Sequence, residues 1–357
     1  MTPQTSLATI LGQQKIEPYF IADVGANHDG DLNRAIDLIH LIAEAGGHAA
    51  KFQHFSAGTI VSNAGFKDLG SKIAHQAKWK KSVYEIYDDA SINLEWTNTL
   101  QQECKKVGIE FFTSAYSCEL VDFIDPFVDV YKIGSGDITW TEILEHTASK
   151  SKPILLATGA SDLEDVRRAM NAISKHNSAI CLMQCNTNYT GSIDNFKFCN
   201  LRVLLQYRDL FPDVALGLSD HTPGHSTVLG ALALGAIIFE KHFTDDNAKE
   251  GPDHGFAMNP RSWREMVDRS YELWSALGDG HKIVEQNEKD SALVQRRSLH
   301  ATRNLEKGQI VRREDLFPLR PCPADGIPPF ELENIIGLKL RNSVTEGTGV
   351  KWTDLDL

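Results

Sequence analysis

The chain has 357 residues, 42% of them hydrophobic and 24% charged, and a formal net charge of −12. That length accommodates an α/β barrel plus a small appended domain, and the composition is that of an ordinary globular chain, neither disordered nor fibrous. The acidic balance argues against nucleic acid or an anionic membrane surface as partner, but leaves open a small anionic substrate gathered by local lysines.

Met1 to Phe20 lacks a basic start followed by a long apolar core. No later stretch approaches the ~18 apolar residues needed to span a bilayer, so the cytoplasm is the expected location. The six cysteines (Cys104, Cys118, Cys181, Cys185, Cys199 and Cys322) have neither zinc spacing nor a disulfide framework. Cys181 and Cys185 share a strand face and read as buried thiols.

In chain order, short apolar runs predict strands at 19–24, 48–55, 109–114, 130–135, 153–158, 179–185, 214–219 and 236–242. Most are followed by a helical pattern. The clearest is 31–45, where Asp31 is placed to cap and Ala35, Leu38, Ile39 and Ile42 keep helical spacing; 162–173 and 262–277 read similarly. Eight strand–helix units predict a (β/α)8 TIM barrel over residues 1–278, with its active site at the carboxyl ends of the strands. The long irregular insertion from Ser56 to about Asn93 reads as a lid or an interface arm. Polar residues 279–295 read as a linker. Residues 296–357 then read as a small β-rich domain, with a strand at 298–302, a turn at Glu306-Lys307-Gly308, a Pro- and Gly-rich segment at 320–329 and a last strand near 350–352.

Functional residues are expected where strands finish. Strand seven ends in Ser219-Asp220-His221-Thr222 and strand eight in Glu240-Lys241-His242. Alternation puts Ser219 and His221 on one face, and Glu240 and His242 on another. A single buried histidine is commonly structural, but two neutral imidazoles at adjacent strand ends can hold one divalent cation. Strand one ends in Asp23, followed by Asn27-His28-Asp29, a polar trio suited to a polyhydroxylated ligand. Strand two carries Lys51 and Gln53 on one face, strand three ends in Thr113-Ser114, and strand four in Lys132 with Ser135 close behind. The two lysines sit in apolar strands, where a charge needs a partner, and resemble a cradle for a phosphorylated or carboxylated substrate. Strand six leads to Thr187-Asn188-Tyr189, and the Gly251-Pro252 turn brings Asp253 and His254 over the same mouth. Lys241 faces away from Glu240 and His242, and the sequence names no partner for it.

These blocks together resemble the sialic acid synthase family: Ile21–Gly30, Lys51-Phe52-Gln53, Tyr131–Asp137, Gly217–Thr222, Glu240–Thr244 and Gly251–His254. The tail from Arg296 is similar to the family's antifreeze-like (SAF) domain. The resemblance implies a condensation of phosphoenolpyruvate with an N-acyl amino sugar and a divalent metal, Mn2+ or Mg2+, on His221 and His242. It implies a phosphoenolpyruvate pocket of Lys51, Ser114, Lys132, Ser135 and Ser219. It sets the sugar against Asp23, Asn27, Gln53, Tyr189, Asp253 and Arg320, the last supplied by the partner in a domain-swapped homodimer. Catalytic roles then fall on Asp23, Lys51, Lys132, Glu240 and His242. The chain departs from the family pattern at Asp23 (usually Glu), Ala157 (usually Ser), Gln184 (usually His) and Thr190 (usually Pro). Ala257-Met258-Asn259-Pro260 lies nearer the pseudaminic acid branch. An N-acetylmannosamine-like acceptor is the first expectation, with a diamino sugar of the pseudaminic or legionaminic type open beside it. A sugar-phosphate aldolase and a non-catalytic sugar-binding homologue are the competing readings.

Overall fold

In a computed structural model of the chain, eight buried strands close into a parallel barrel in sequence order. The structure describes Leu7, residues 17–69, Gln76 and residues 79–356; parts of the N-terminal segment and of the insertion after strand two lie outside them. The strands are β1 (Tyr19–Asp23), β2 (Ala49–His54), β3 (Glu110–Ala115), β4 (Tyr131–Ile133), β5 (Ile154–Ala157), β6 (Ile180–Cys185), β7 (Ala215–Asp220) and β8 (Ile238–His242).

The alternation that predicted these strands also sorts their side chains. Tyr19, Ile21, Phe112, Leu155, Cys181, Met183 and Ile238 fill the lower barrel interior. Their neighbours Phe20, Ala22, Phe52, Leu182 and Phe239 point outward into the layer shared with the helices. Register then levels the strand ends. Asp23 pairs with both Lys51 and His242, Ser114 with Lys132, Cys185 with Ser219 and Ser219 with Glu240. Residues scattered over more than two hundred positions are thereby set in one layer at the carboxyl end of the barrel.

The helices start where local chemistry can satisfy their free amides. Asp31 accepts from the amides of Asn33 and Arg34 at 2.8 and 3.3 Å, and the helix Leu32–Glu44 buries the four apolar residues expected. The last barrel helix begins at Pro260, two residues before the predicted start. Asn259 caps it by accepting from Ser262 N at 3.0 Å, and proline at the first position sacrifices no hydrogen bond.

A second compact unit comprises residues 279–357. Two antiparallel pairs, β9 (Ser298–Ala301) with β10 (Leu316–Leu319) and β11 (Lys339–Leu340) with β12 (Leu355–Asp356), surround Leu299, Leu305, Val311, Ile327, Ile335, Leu340 and Val350. Two expectations need correction. The predicted linker contains a helix, Lys289–Gln295. The last strand is Leu355–Asp356, because Asp354 accepts from Lys351 N at 3.0 Å and folds 352–354 into a 3-10 turn.

Candidate active site

A cavity of about 330 Å³ opens at the carboxyl ends of the strands. Asp23, Lys51, Gln53, Ser114, Lys132, Ser135, Tyr189, Ser219, His221, Glu240, His242 and Asp253 all line it. Each lies at a strand end or in the loop just beyond, which is why one layer of register suffices to gather them.

The charges interlock. Lys51 Nζ lies 2.5 Å from Asp23 Oδ2, and Gln53 Nε2 donates to the same oxygen at 3.0 Å. Lys132 Nζ stands 3.3 Å from Glu240 Oε1, to which Ser219 Oγ also donates at 3.2 Å. These are the partners that two buried lysines require. Burial pushes the Asp23 carboxyl up, but the charges of Lys51 and His242 and the bonds from Lys51 and Gln53 bring it down to about 2. Lys51 moves upward: burial opposes its charge, and Asp23 and Glu240 more than offset that.

One consequence concerns stability. Lys51→Met leaves the Asp23 carboxylate buried without its cation, which should cost about 3–5 kcal/mol. The paired change Lys51→Met with Asp23→Leu should recover most of the loss; urea unfolding of both variants checks this. Because the Asp23 value is depressed, its stabilisation is complete above about pH 4 and is lost only as pH falls toward 2. The ion pair therefore adds no pH dependence between about pH 5 and 8.

Asp137 behaves oppositely. Burial lifts its carboxyl to about 6, with Lys132 opposing. The folded state then holds its proton more tightly than the unfolded chain, so stability falls as pH rises from about 4 through 6. Asp137→Asn should flatten that interval in urea midpoints measured at successive pH values.

The two imidazoles lie with ring centroids 5.5 Å apart. His221 Nδ1 sits 2.9 Å from the carbonyl of Asn186. A carbonyl only accepts, so Nδ1 carries the proton and Nε2 offers its lone pair. His242 Nδ1 is buried without a hydrogen-bond partner, and so are Glu240 Oε2 and Ser114 Oγ. His242 also stands 3.5 Å from Asp23 and 3.7 Å from Asp253. Tyr189 and Phe256 pack on this pair, with centroids 4.2 Å from His221 and 4.9 Å from His242 respectively.

The donor set fits a divalent cation held by two imidazoles and completed by ligands from outside the chain. Among the described residues, no group of three or more His, Cys, Asp or Glu side chains forms a ready-made cage. The charge count points the same way: four carboxylates, Asp23, Asp137, Glu240 and Asp253, line the cavity with only two lysines. An anionic substrate would meet a net negative pocket unless a further cation were bound.

Several predicted residues do other work. Asn27 does not line the cavity; its Nδ2 donates to Phe243 O at 2.9 Å and ties the loop after β1 to the end of β8. His28 accepts from Gly30 N at 3.1 Å within its own turn. His254 is fully buried between Thr244 Oγ1 at 2.7 Å and Asp29 Oδ1 at 3.0 Å, so it braces the mouth from behind. Thr113 bonds His54 at 2.6 Å on the outer face of β3. Gln184 turns outward to Cys199 O at 3.0 Å, so its departure from the family pattern falls outside the cavity, whereas Ala157 lines it. Arg320 is exposed and belongs to the C-terminal unit.

Other lining residues were missed. Cys185 faces the cavity: burial raises its thiol, but hydrogen bonds with His221 and Ser135 and the charge of Lys132 lower it on balance. Its pairing position beside Ser219 was the available signal. Phe55, Ile60, Trp79, Ile86, Tyr87, Ala90 and Tyr116 form an apolar wall, most of it from the insertion after β2. Its rings touch in series, with centroids 6.4 Å apart for Trp79–Tyr87, 5.6 Å for Tyr87–Phe55 and 5.9 Å for Phe55–Tyr116.

A closed (β/α)8 barrel with a charged pocket at its strand ends, followed by a small β-rich unit, is the architecture of a barrel enzyme, and the comparisons narrow that class. The NeuB family model matches residues 38–282 and the SAF domain model residues 296–356. The N,N'-diacetyllegionaminic acid synthase of Legionella pneumophila is 33% identical over 344 residues, covering 95% of this chain and 94% of that protein. Human N-acetylneuraminate-9-phosphate synthase is 29% identical, covering 92% and 90%. The crystal structure of the spore coat polysaccharide biosynthesis protein SpsE of Bacillus subtilis has a TM-score of 0.63 at 25% identity, covering 97% of this chain and 98% of that one. The chain belongs to the NeuB family and is an enzyme with a C-terminal SAF domain. Among the described residues, no helix is long and apolar enough to cross a membrane.

Proposed function

We propose that the protein condenses phosphoenolpyruvate with the open-chain aldehyde of an N-acyl amino sugar, giving a nonulosonic acid and inorganic phosphate. The observation that carries this reading is the single cavity in which two lysines, three serines and two imidazoles converge on one face of the barrel mouth. The enol carbon of phosphoenolpyruvate bonds to the aldehyde carbon, water adds at the adjoining carbon, and the bond to phosphate then breaks with its electron pair leaving on phosphate. A divalent cation on His221 and His242, Mn2+ or Mg2+, would supply Lewis-acid polarisation of the aldehyde.

Lys51 and Lys132 hold the donor's charges, with Ser114, Ser135 and Ser219 accepting or donating around them. Asp23 is a weak base at about 2, so its part is to orient the attacking water rather than to strip it of a proton. Lys132→Met should raise the Michaelis constant for phosphoenolpyruvate roughly ten- to a hundredfold, the loss of one charge-assisted hydrogen bond of about 1.5–3 kcal/mol. Initial-rate kinetics against donor concentration read this directly. Gln184 faces away from the cavity, so its departure leaves the site untouched, and the presence there of both lysines and both histidines favours a working enzyme over a sugar-binding relic.

The acceptor carries two acyl amides. The aromatic wall, most of it from the insertion, offers ring faces that pack well on acetyl methyls. The relatives named N,N'-diacetyllegionaminic acid synthases, 33% and 32% identical, support the same choice. A panel of N-acetylmannosamine and 2,4-diacetamido sugars, incubated with phosphoenolpyruvate and Mn2+ and followed by mass spectrometry, tests it. The diacylated acceptor should be consumed at least tenfold faster; preference for N-acetylmannosamine would overturn this choice.

A further inference from the structure

Lys241 lies outside the cavity, yet it is 2% exposed and therefore a charge buried between the barrel and its helices. Its partners are all at the end of the neighbouring strand. Nζ pairs with the carboxylate of Asp220 and donates to Thr222 O at 2.6 Å. Asp220 Oδ2 also accepts from Thr222 Oγ1 at 2.8 Å and Thr227 Oγ1 at 2.7 Å. Asp220, Thr222 and Thr227 are all buried.

The positions of these partners matter more than their number. Asp220 and Thr222 are the residues on either side of His221, and Lys241 is the residue immediately before His242. Asp220 and Lys241 are paired across the β7–β8 ladder, one step beyond Ser219 and Glu240. Because alternate side chains face opposite ways, a clamp on Asp220, Thr222 and Lys241 behind the strands sets the direction of His221 and His242 in front. Past Asp220 the β7 ladder has ended, so backbone pairing no longer holds residue 221. The ammonium–carbonyl bond to Thr222 replaces that missing constraint.

We propose that the Asp220–Lys241 pair is a positioning device that presents His221 and His242 to one cation. A buried ion pair is a poor source of net stability, since desolvation offsets most of its attraction. Geometry is what it secures. Outer partners that orient metal ligands commonly contribute roughly ten- to a hundredfold to metal affinity. The inference rests on the assignment of a cation to His221 and His242.

The test is Mn2+ binding to the metal-stripped protein, followed by the disappearance of the free-Mn2+ paramagnetic resonance signal. The double variant Asp220→Leu with Lys241→Met leaves no unpaired charge. It should fold, retain phosphoenolpyruvate affinity within about threefold, and bind Mn2+ roughly ten- to a hundredfold more weakly. Thr222→Val, which removes one hydroxyl without changing shape, serves where the double variant does not fold and should weaken Mn2+ several-fold. Lys241→Arg should restore part of the affinity that Lys241→Met loses. Unchanged Mn2+ affinity in the folded double variant, or in Thr222→Val when only that variant folds, overturns the proposal. A wild-type protein whose Mn2+ binding is indifferent to His221→Ala would instead remove the cation assignment on which it rests.

Discussion

His221→Ala and His242→Ala will each lower turnover by about three orders of magnitude while leaving the fold intact. The size follows from the role proposed for a cation on these residues: Lewis-acid polarisation of a carbonyl is worth several kcal/mol, and about 4 kcal/mol is roughly a thousandfold in rate. The fold should survive because both side chains face a cavity and neither belongs to the apolar clusters of the barrel. His221 gives up its hydrogen bonds to Asn186 O and Cys185, and His242 makes no hydrogen bond through Nδ1 and stands 3.5 Å from Asp23. Steady-state rates in saturating Mn2+, with circular dichroism on the same samples, separate loss of chemistry from loss of structure. Full activity of either variant after exhaustive chelation would contradict the cation's role.

The second large effect concerns Arg320. Among the described residues its guanidinium has no hydrogen-bond or ion-pair partner, and it follows β10 at the start of a loop whose Pro321 carbonyl accepts from Ser298 Oγ at 2.7 Å. A fixed loop presenting a free, exposed guanidinium is suited to reach a ligand outside its own unit. If it binds the acyl carbonyl of the sugar in the partner's barrel, Arg320→Ala loses about ten- to a hundredfold in activity with Mn2+ and donor binding intact. Co-expression with a His221→Ala chain provides the sharper test. In a shared-site dimer each heterodimer regains one complete site, so a random mixture recovers about a quarter of wild-type activity. If each site is built within one chain, every site lacks one group and the mixture shows no more than the residual activity of the separate variants.

The barrel was legible because buried parallel strands are apolar runs that change character abruptly at their ends, as at Leu218-Ser219 and Phe239-Glu240. Alternation was equally legible, and it placed Lys51 with Gln53 and Glu240 with His242. What sequence could not separate was a polar residue that meets a ligand from one that ties two loops. Asn27, His28 and His254 sit beside Asp23 and Asp253 in the chain, and a turn of one residue decides whether each faces the cavity or the backbone. The partner of Lys241 required knowing that β7 and β8 are neighbours in a register that sets it against Asp220. The aromatic wall was hidden for another reason. The insertion after β2 has no period, so nothing in it announces that Ile60, Trp79, Ile86 and Tyr87 share one surface.

The central claim is a two-substrate condensation, and release of inorganic phosphate is its most direct readout. With phosphoenolpyruvate, a 2,4-diacetamido sugar and Mn2+ together, phosphate should form in a one-to-one ratio with a product whose mass is the sum of both substrates plus water minus phosphoric acid. Omitting the sugar or chelating the metal should stop both. Phosphate released at the same rate without the sugar, or a sugar phosphate cleaved in place of two substrates joined, would contradict the account.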